Sequence, residues 1–115
     1  MEPHLIITDI DGTLAVDHQH VSPNTAKALN QAMMAGNPFF VATGRMYALA
    51  KIIEEQVSAE AGVIGANGAV YDFSGQRVHH LLGEEALTQT NNVTTKYGLS
   101  AFYFSDDTVY YTLTP

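Results

Sequence analysis

Residues 5–14, LIITDIDGTL, decide the fold of this 115-residue chain. The apolar, β-branched run at the start of this segment predicts a buried strand, and the acidic residues Asp9 and Asp11 follow where that strand ends. Open α/β sheets bind their ligands outside the carboxyl ends of the strands. The segment therefore predicts an α/β fold with a functional site at the two aspartates.

Asp9 and Asp11 are spaced so that both carboxylates can point to one side, where their repulsion favours a divalent cation. Magnesium is the natural candidate because it prefers oxygen ligands and keeps several waters. Gly12 lets the backbone turn tightly after the acids. The alternative is that this string is only a turn. A calcium EF-hand does not fit, because counted from Asp9 its required glycine and glutamate are replaced by Leu14 and His20.

The composition is that of a globular protein, with 46% hydrophobic and 15% charged residues. A formal net charge of -7 with only five Lys and Arg residues argues against a nucleic-acid partner. No apolar run approaches the roughly 20 residues that span a bilayer, and the N-terminus lacks a signal-peptide pattern. These features predict no membrane partner and a cytoplasmic location.

Hydrophobic periodicity and turn residues predict alternating strands and helices in the first part of the chain and hairpin-linked strands in the second. This change predicts a division into a first part, residues 1–75, and a second part, residues 76–115. The predicted elements are, in order, a helix from Ser22 to Gly36, strand 38–43, a helix from Met46 to Val57, strands 62–66 and 69–73, a helix from Glu84 to Tyr97, and strands 101–105 and 108–113.

A second motif, Ala42-Thr43-Gly44-Arg45, ends the second predicted strand just before a helix. Because neighbouring parallel strands end at one edge of a sheet, this places a hydroxyl and free backbone amides beside the acids of the first strand. Helix N-terminal amides and a threonine hydroxyl donate to phosphate oxygens, and Gly44 allows close approach. The alternative is that Thr43 only caps the helix.

Four histidines, His18, His20, His79 and His80, raise the question of zinc. Their spacing alone defines no closed tetrahedral ligand set. Magnesium therefore remains the predicted metal.

Three segments resemble the haloacid dehalogenase superfamily of phosphohydrolases, in its Cof-type branch with an inserted α/β cap. They are Asp9-Ile10-Asp11-Gly12-Thr13-Leu14, Ala42-Thr43-Gly44-Arg45 and Ile64-Gly65-Ala66-Asn67-Gly68-Ala69. The resemblance implies a partial Rossmann-like parallel sheet in residues 1–75 and the start of an α+β cap in residues 76–115. It covers only the N-terminal part of such a protein.

The resemblance also implies residue roles. Asp9 would be the nucleophile that forms an aspartyl-phosphate, and Asp11 the general acid and base. The Asp9 carboxylate and the Asp11 carbonyl would bind Mg²⁺. Arg45 would either contact substrate or anchor the start of the helix. Phosphoryl oxygens would be held by backbone and side-chain groups of four residues: Ile10, Thr43, Gly44 and Arg45.

The implied function is magnesium-dependent hydrolysis of phosphomonoesters of small metabolites. The alternatives are a phosphomutase of the same superfamily and a catalytically silent oligomerising module. The family pattern also uses a lysine and a late acidic motif that this chain does not reach, so we expect weak or no turnover. The first strand would be left with an open apolar edge, which predicts a homo-oligomer.

Overall fold

The chain folds into a five-stranded mixed sheet followed by a helix and a two-stranded hairpin. The computed structural model describes residues 2–58 and 60–112, so the predicted strand end at Leu113 lies outside the described residues. The α/β fold class is confirmed. The elements are β1 (Ile6–Asp9), α1 (Pro23–Met34), β2 (Phe39–Ala42), α2 (Tyr47–Glu54), β3 (Gly62–Gly65), β4 (Val70–Phe73), β5 (Gln76–His79), α3 (Glu84–Lys96), β6 (Phe102–Phe104) and β7 (Val109–Tyr111).

The first three strands lie side by side in chain order and run parallel. Their β-branched and aromatic residues suit a pleated surface, and the register aligns Asp9 of β1 with Ala42 of β2 and Ala42 with Ile64 of β3. β4 and β5 then continue the sheet as antiparallel strands. The parallel register brings the carboxyl ends of β1, β2 and β3 to one edge of the sheet.

Helix α1 begins as the sequence predicts, with the Ser22 hydroxyl accepting a hydrogen bond from the Thr25 amide at 3.2 Å. Its partly buried residues Ala26, Leu29 and Met33 pack against the core, since they share one face of the helix. The buried core residues come from the sheet, from the loop between β1 and α1, and from α2 and the segment that follows it: Ile10, Leu14, Ala15, Val21, Phe39, Val41, Tyr47, Ala50, Ile53, Val57, Ala61, Val63 and Val70.

Helix α2 is shorter than predicted and ends at Glu54 instead of Val57. The amides of Gln56 and Val57 donate to the carbonyls of Ile53 and Glu54, three residues earlier. Such bonds tighten the end of the helix away from α-helical geometry. The periodicity of apolar residues continues through this turn, which is why the sequence pattern predicted a longer helix.

Strand β1 forms one edge of the sheet. Leu5 just before it and Ile7 within it are 60% and 51% exposed. The predicted open apolar edge is thus present. No helix within residues 2–58 and 60–112 combines the length and the apolar composition that crossing a bilayer requires.

The residues after β5 are more exposed than the first part of the chain. Strand β5, which begins just after the predicted division at residue 75, pairs with β4 in the main sheet. The division itself stays a prediction. The exposed apolar side chains of this region come from α3, from the segments before and after it, and from the hairpin: Leu81, Leu82, Leu87, Val93, Tyr97, Leu99, Phe102, Phe104, Val109, Tyr110 and Tyr111.

Glu54 is a fully buried acidic residue on the face of α2 that meets the core. Lys51 Nζ lies 2.8 Å from Glu54 Oε2, but neither carboxylate oxygen has a hydrogen bond of good geometry among the described residues. Burial raises the pKa of Glu54 above its ordinary value of 4.5, and the Lys51 charge opposes this only in part. Lys51 itself is half-buried beside this acid.

We expect Glu54→Gln to gain stability relative to the natural chain as the pH rises. Because the pKa of Glu54 is higher in the folded chain than in the unfolded chain, its protonated form stabilises the fold. This stabilisation is fully present below the ordinary pKa and is lost as the pH rises through the pKa of the folded chain. Thermal unfolding of both proteins between about pH 4 and about pH 8 measures the difference. The exposed neighbour variant Glu55→Gln is the control, and an equal pH dependence in all three proteins would contradict the prediction.

Candidate functional site

A cavity of about 410 Å³ lies at the carboxyl ends of β1, β2 and β3. Parallel strands with their connecting loops leave such a crevice at this edge of a sheet. Its lining consists of strand-end and loop residues: Asp9, Ala42, Thr43, Gly44, Ile64, Asn67 and Gly68.

Asp9 is the acidic residue that lines this cavity. Its Oδ1 accepts a hydrogen bond from the Ile10 amide at 2.9 Å, which fixes the orientation of the carboxylate. The other oxygen, Oδ2, forms no hydrogen bond with the described residues. One carboxylate oxygen therefore remains available to a ligand or a reacting group.

The loop after Asp9 is held by its own backbone. The Leu14 amide donates to the Asp9 carbonyl at 3.2 Å, and the Ala15 amide donates to the Ile10 carbonyl at 2.9 Å. Gly12 has a φ of 80°, a conformation that glycine adopts readily. Because Ile10, Leu14 and Ala15 are buried, the core anchors the loop on both sides of Asp11.

The Asp11 carboxylate is held by two side chains, those of Arg45 and His18. Arg45 Nε donates to Oδ2 at 3.0 Å, and the Arg45 Nη2 group donates to Oδ1. His18 Nδ1 lies 2.9 Å from Oδ1, and Arg45 also donates to the His18 carbonyl at 2.7 Å. The hydrogen bonds from Arg45 and then from His18 lower the pKa of Asp11 from 3.8 to about 2. Asp11 is therefore ionised at neutral pH.

The second motif meets the segment after β3 at the opposite wall. The Thr43 hydroxyl accepts a hydrogen bond from the Arg45 amide at 3.1 Å, and the Asn67 amide donates to the Thr43 carbonyl at 3.0 Å. A Cβ atom on Gly44 would lie 3.2 Å from Asn67 Oδ1. Asn67 itself adopts a left-handed conformation with φ of 56°, which asparagine tolerates better than most residues. The absence of a side chain at Gly44 allows these two loops to approach.

The structure brings together Asp9, Thr43 and Gly44, as the sequence predicts. The other two predicted phosphate-binding residues, Ile10 and Arg45, do not line the cavity. The Ile10 amide donates a hydrogen bond to the Asp9 carboxylate, and the Arg45 guanidinium donates to the Asp11 carboxylate. The Arg45 guanidinium thus links the second motif to the loop after β1, and the two roles considered for it stay predictions.

Asn67 also lines the cavity, although it is not among the predicted site residues. Asparagine followed by glycine is a common turn signal, and a left-handed backbone does occur there. The position of Asn67 and Gly68 just after a third parallel strand is the sequence signal that could have placed them at the cavity.

The histidines pair with separate carboxylates or rings. His20 Nδ1 lies 2.7 Å from Asp17, His79 lies 2.8 Å from Asp106, and Tyr71 stacks on His80. Within the described residues, no three His, Asp or Glu side chains converge as a metal site.

Magnesium needs fewer protein ligands than zinc, because it keeps several waters and shares substrate phosphate oxygens. The donors here fit that requirement. Asp9 has an unbonded carboxylate oxygen, and the Asp11 carbonyl accepts no hydrogen bond from the described residues. The Asp11 carboxylate is occupied by Arg45 and His18, so its main-chain oxygen is the better ligand.

Comparison with known proteins identifies the family. The family model for haloacid dehalogenase-like hydrolases matches residues 6–114. Phosphatase YwpJ of Bacillus subtilis is 40% identical over 77 residues, which cover 66% of this chain and 27% of that protein. The 5-amino-6-(5-phospho-D-ribitylamino)uracil phosphatase YitU of Bacillus subtilis is 28% identical over 102 residues, which cover 85% of this chain and 38% of that protein.

Solved structures agree with this assignment. A haloacid dehalogenase-like hydrolase from B. subtilis superposes with a TM-score of 0.66 and 33% identity, over 81% of this chain and 33% of its own. A phosphatase of the same superfamily from Bacteroides thetaiotaomicron gives a TM-score of 0.79 at 22% identity, over 98% of this chain and 43% of its own, and supports the fold. The chain thus spans less than half the length of these relatives. Because the family model covers nearly the whole sequence, the chain belongs to the haloacid dehalogenase-like hydrolases.

Proposed function

We propose that this chain carries the nucleophile and phosphate-binding half of a phosphatase that acts on small phosphorylated metabolites. The observation that carries the proposal is the unbonded Asp9 oxygen at a cavity that Thr43 and Gly44 also line. Phosphatases among the relatives support this reaction class. In this proposal residues 1–75 belong to the catalytic core and residues 76–115 begin a cap.

In the proposed reaction, an Asp9 carboxylate oxygen attacks the phosphorus atom and forms an aspartyl-phosphate. The bond from phosphorus to the alcohol oxygen breaks, and the departing alkoxide takes a proton from Asp11. Water then attacks phosphorus while Asp11 takes up a proton from that water, and the Asp9–phosphorus bond breaks. Phosphate and the free carboxylate of Asp9 result.

Pairing with Arg45 keeps Asp11 ionised. The ionised carboxylate is the form that takes up a proton from water in the second step, the hydrolysis of the aspartyl-phosphate. For the first step it must hold a proton, and the negative charge of an arriving phosphate favours that proton. The role of Arg45 in this proposal is to orient Asp11 rather than to bind substrate.

Magnesium would be held by the Asp9 carboxylate and the Asp11 carbonyl. When bound, it would offset negative charge on the phosphoryl group and on Asp9. Among the described residues, no lysine lines the cavity. Lys51 pairs with Glu54, Lys27 lies in α1 and Lys96 lies in α3. This missing positive charge supports the proposal that the chain by itself turns over slowly or not at all.

We expect the isolated chain to bind Mg²⁺ weakly through Asp9 and to release little phosphate. Calorimetric titration with MgCl₂ should give heat that is lost in Asp9→Asn, because the amide is a poorer ligand for a hard cation. A colorimetric assay with a general phosphomonoester should give turnover near the background. Equal magnesium binding by Asp9→Asn would contradict the metal role, and strong Asp9-dependent turnover would contradict the expected low activity.

Arg45→Gln should raise the pKa of Asp11 from about 2 towards 3.8, because Arg45 is the largest cause of its lowering. The carboxyl carbon shift of Asp11, followed by NMR during a pH titration without magnesium, measures this pKa. His18→Gln should raise the pKa as well, but by less. The Asp17 carboxyl is a control because it pairs with His20 instead. An unchanged Asp11 titration in Arg45→Gln would overturn the orienting role.

The phosphomutase alternative uses the same two aspartates, and no contact among the described residues favours it over hydrolysis. The alternative of an oligomerising module has a specific observation in its favour, the exposed edge of β1. We propose that a second copy of the chain pairs with this edge, because unpaired strand groups beside exposed apolar side chains favour strand addition. The cytoplasmic location stays a prediction.

We expect Ile7→Lys to shift the chain towards the monomer, because a charge on an edge strand opposes strand pairing. Light scattering at micromolar concentration compares this variant with the natural chain. Val16→Lys is the matched control, since Val16 is 78% exposed but lies outside the strand. A monomeric natural chain would contradict the proposed pairing.

A further inference from the structure

The tip of the β6–β7 hairpin completes the start of helix α2. The Ala48 amide donates to the Asp106 carbonyl at 2.7 Å. Amides in the first turn of a helix have no acceptor within the helix, and the residue at the N-cap, Met46, provides no side-chain hydrogen bond. Asp106 therefore supplies an acceptor that α2 lacks locally.

The side chain of Asp106 fixes the same hairpin tip to strand β5. Arg77 Nη1 donates to Asp106 Oδ2 at 2.9 Å, and His79 Nε2 lies 2.8 Å from the same oxygen. The Arg77 guanidinium also lies over the ring of Tyr47, with its Cζ 3.9 Å from the ring centroid. One residue of the hairpin thus contacts both α2 and β5.

These contacts continue into the core of the sheet. The Tyr47 hydroxyl donates to Asp72 Oδ1 at 2.7 Å, and the Val63 amide donates to Asp72 Oδ2 at 2.9 Å. Tyr47 is buried and is the first residue of α2. The position of the hairpin is therefore linked through side chains to the helix that directly follows Thr43, Gly44 and Arg45.

We propose that Asp106 is a latch that holds the β6–β7 hairpin on the start of α2 and that protonation of His79 tightens it. This conformational device is independent of the proposed phosphatase reaction. It acts on the element that follows the second motif.

The charges around the latch determine its pH dependence. Burial of Asp106 raises its pKa, but hydrogen bonds from His79 and Arg77 outweigh this and hold the pKa below its ordinary value of 3.8. The other titratable groups at this junction are Asp107 of the hairpin, Tyr47 and Lys51 of α2, and Glu55 just after α2. His80, which follows β5, pairs with Tyr71.

A carboxylate that is ionised over most of the pH scale attracts a protonated imidazole more strongly than a neutral one. Histidine side chains exchange their charge between about pH 5 and about pH 8. Protonation of His79 therefore strengthens its attraction to Asp106, whose Oδ2 lies 2.8 Å from Nε2. Arg77 keeps its charge over this range, so its ion pair with Asp106 remains at high pH and the latch weakens only in part.

Amide exchange of Ala48, measured by NMR on the full chain, reports the latch directly because Asp106 accepts its hydrogen bond. We expect the protection of this amide, after correction for intrinsic exchange, to rise about two- to fivefold from about pH 8 to about pH 5.5, as for a partly exposed ion pair. The Ala26 amide in α1, which donates to the Ser22 carbonyl at 3.0 Å, is the internal control.

His79→Gln should abolish the pH dependence of Ala48 protection and leave its value at high pH nearly unchanged. Asp106→Asn keeps the carbonyl but loses the charge, so protection should fall at both pH values. His80→Gln is the matched control and should behave like the natural chain. A pH dependence that persists in His79→Gln, or Ala48 protection that is the same in Asp106→Asn as in the natural chain, would overturn the proposal.

Discussion

The parallel pairing of β1, β2 and β3 is the constraint on which the rest of the structure depends. Each strand contributes one loop at its carboxyl end, and the register brings these three loops to a common edge. A slip of one residue would turn the side chains of a strand to the other face of the sheet. The buried residues Phe39, Val41 and Val63 make such a slip unfavourable, so core packing also positions the site.

The ion pair between Asp11 and Arg45 joins the first and second motifs across this edge. It explains why Arg45 does not enter the cavity, although the sequence included it among candidate phosphate contacts. Because the pair is partly exposed, its main effect is on geometry and proton affinity and not on stability. Asp9 differs from Asp11 because, among the described residues, its carboxylate accepts a hydrogen bond from the next amide alone, which leaves an oxygen for chemistry.

The sequence predicted the strands, the helices and the position of the two aspartates at the end of β1, because local signals determine them. The acids after an apolar strand, and the serine and proline at the start of α1, act within a few residues. It did not predict the burial of Glu54, the direction of the Arg45 side chain or the role of Asn67 at the cavity. Each of these depends on contacts between segments that are distant in the chain, and a local pattern carries no information about them.

The contact between Asp106 and α2 has an evolutionary consequence. Its helix-capping part uses a main-chain carbonyl, which every amino acid possesses, so drift at this position need not detach the hairpin. The response to acidity instead requires a carboxylate at Asp106 and an imidazole at His79. A single substitution at either position can therefore add or remove pH sensitivity within a lineage while the architecture is retained.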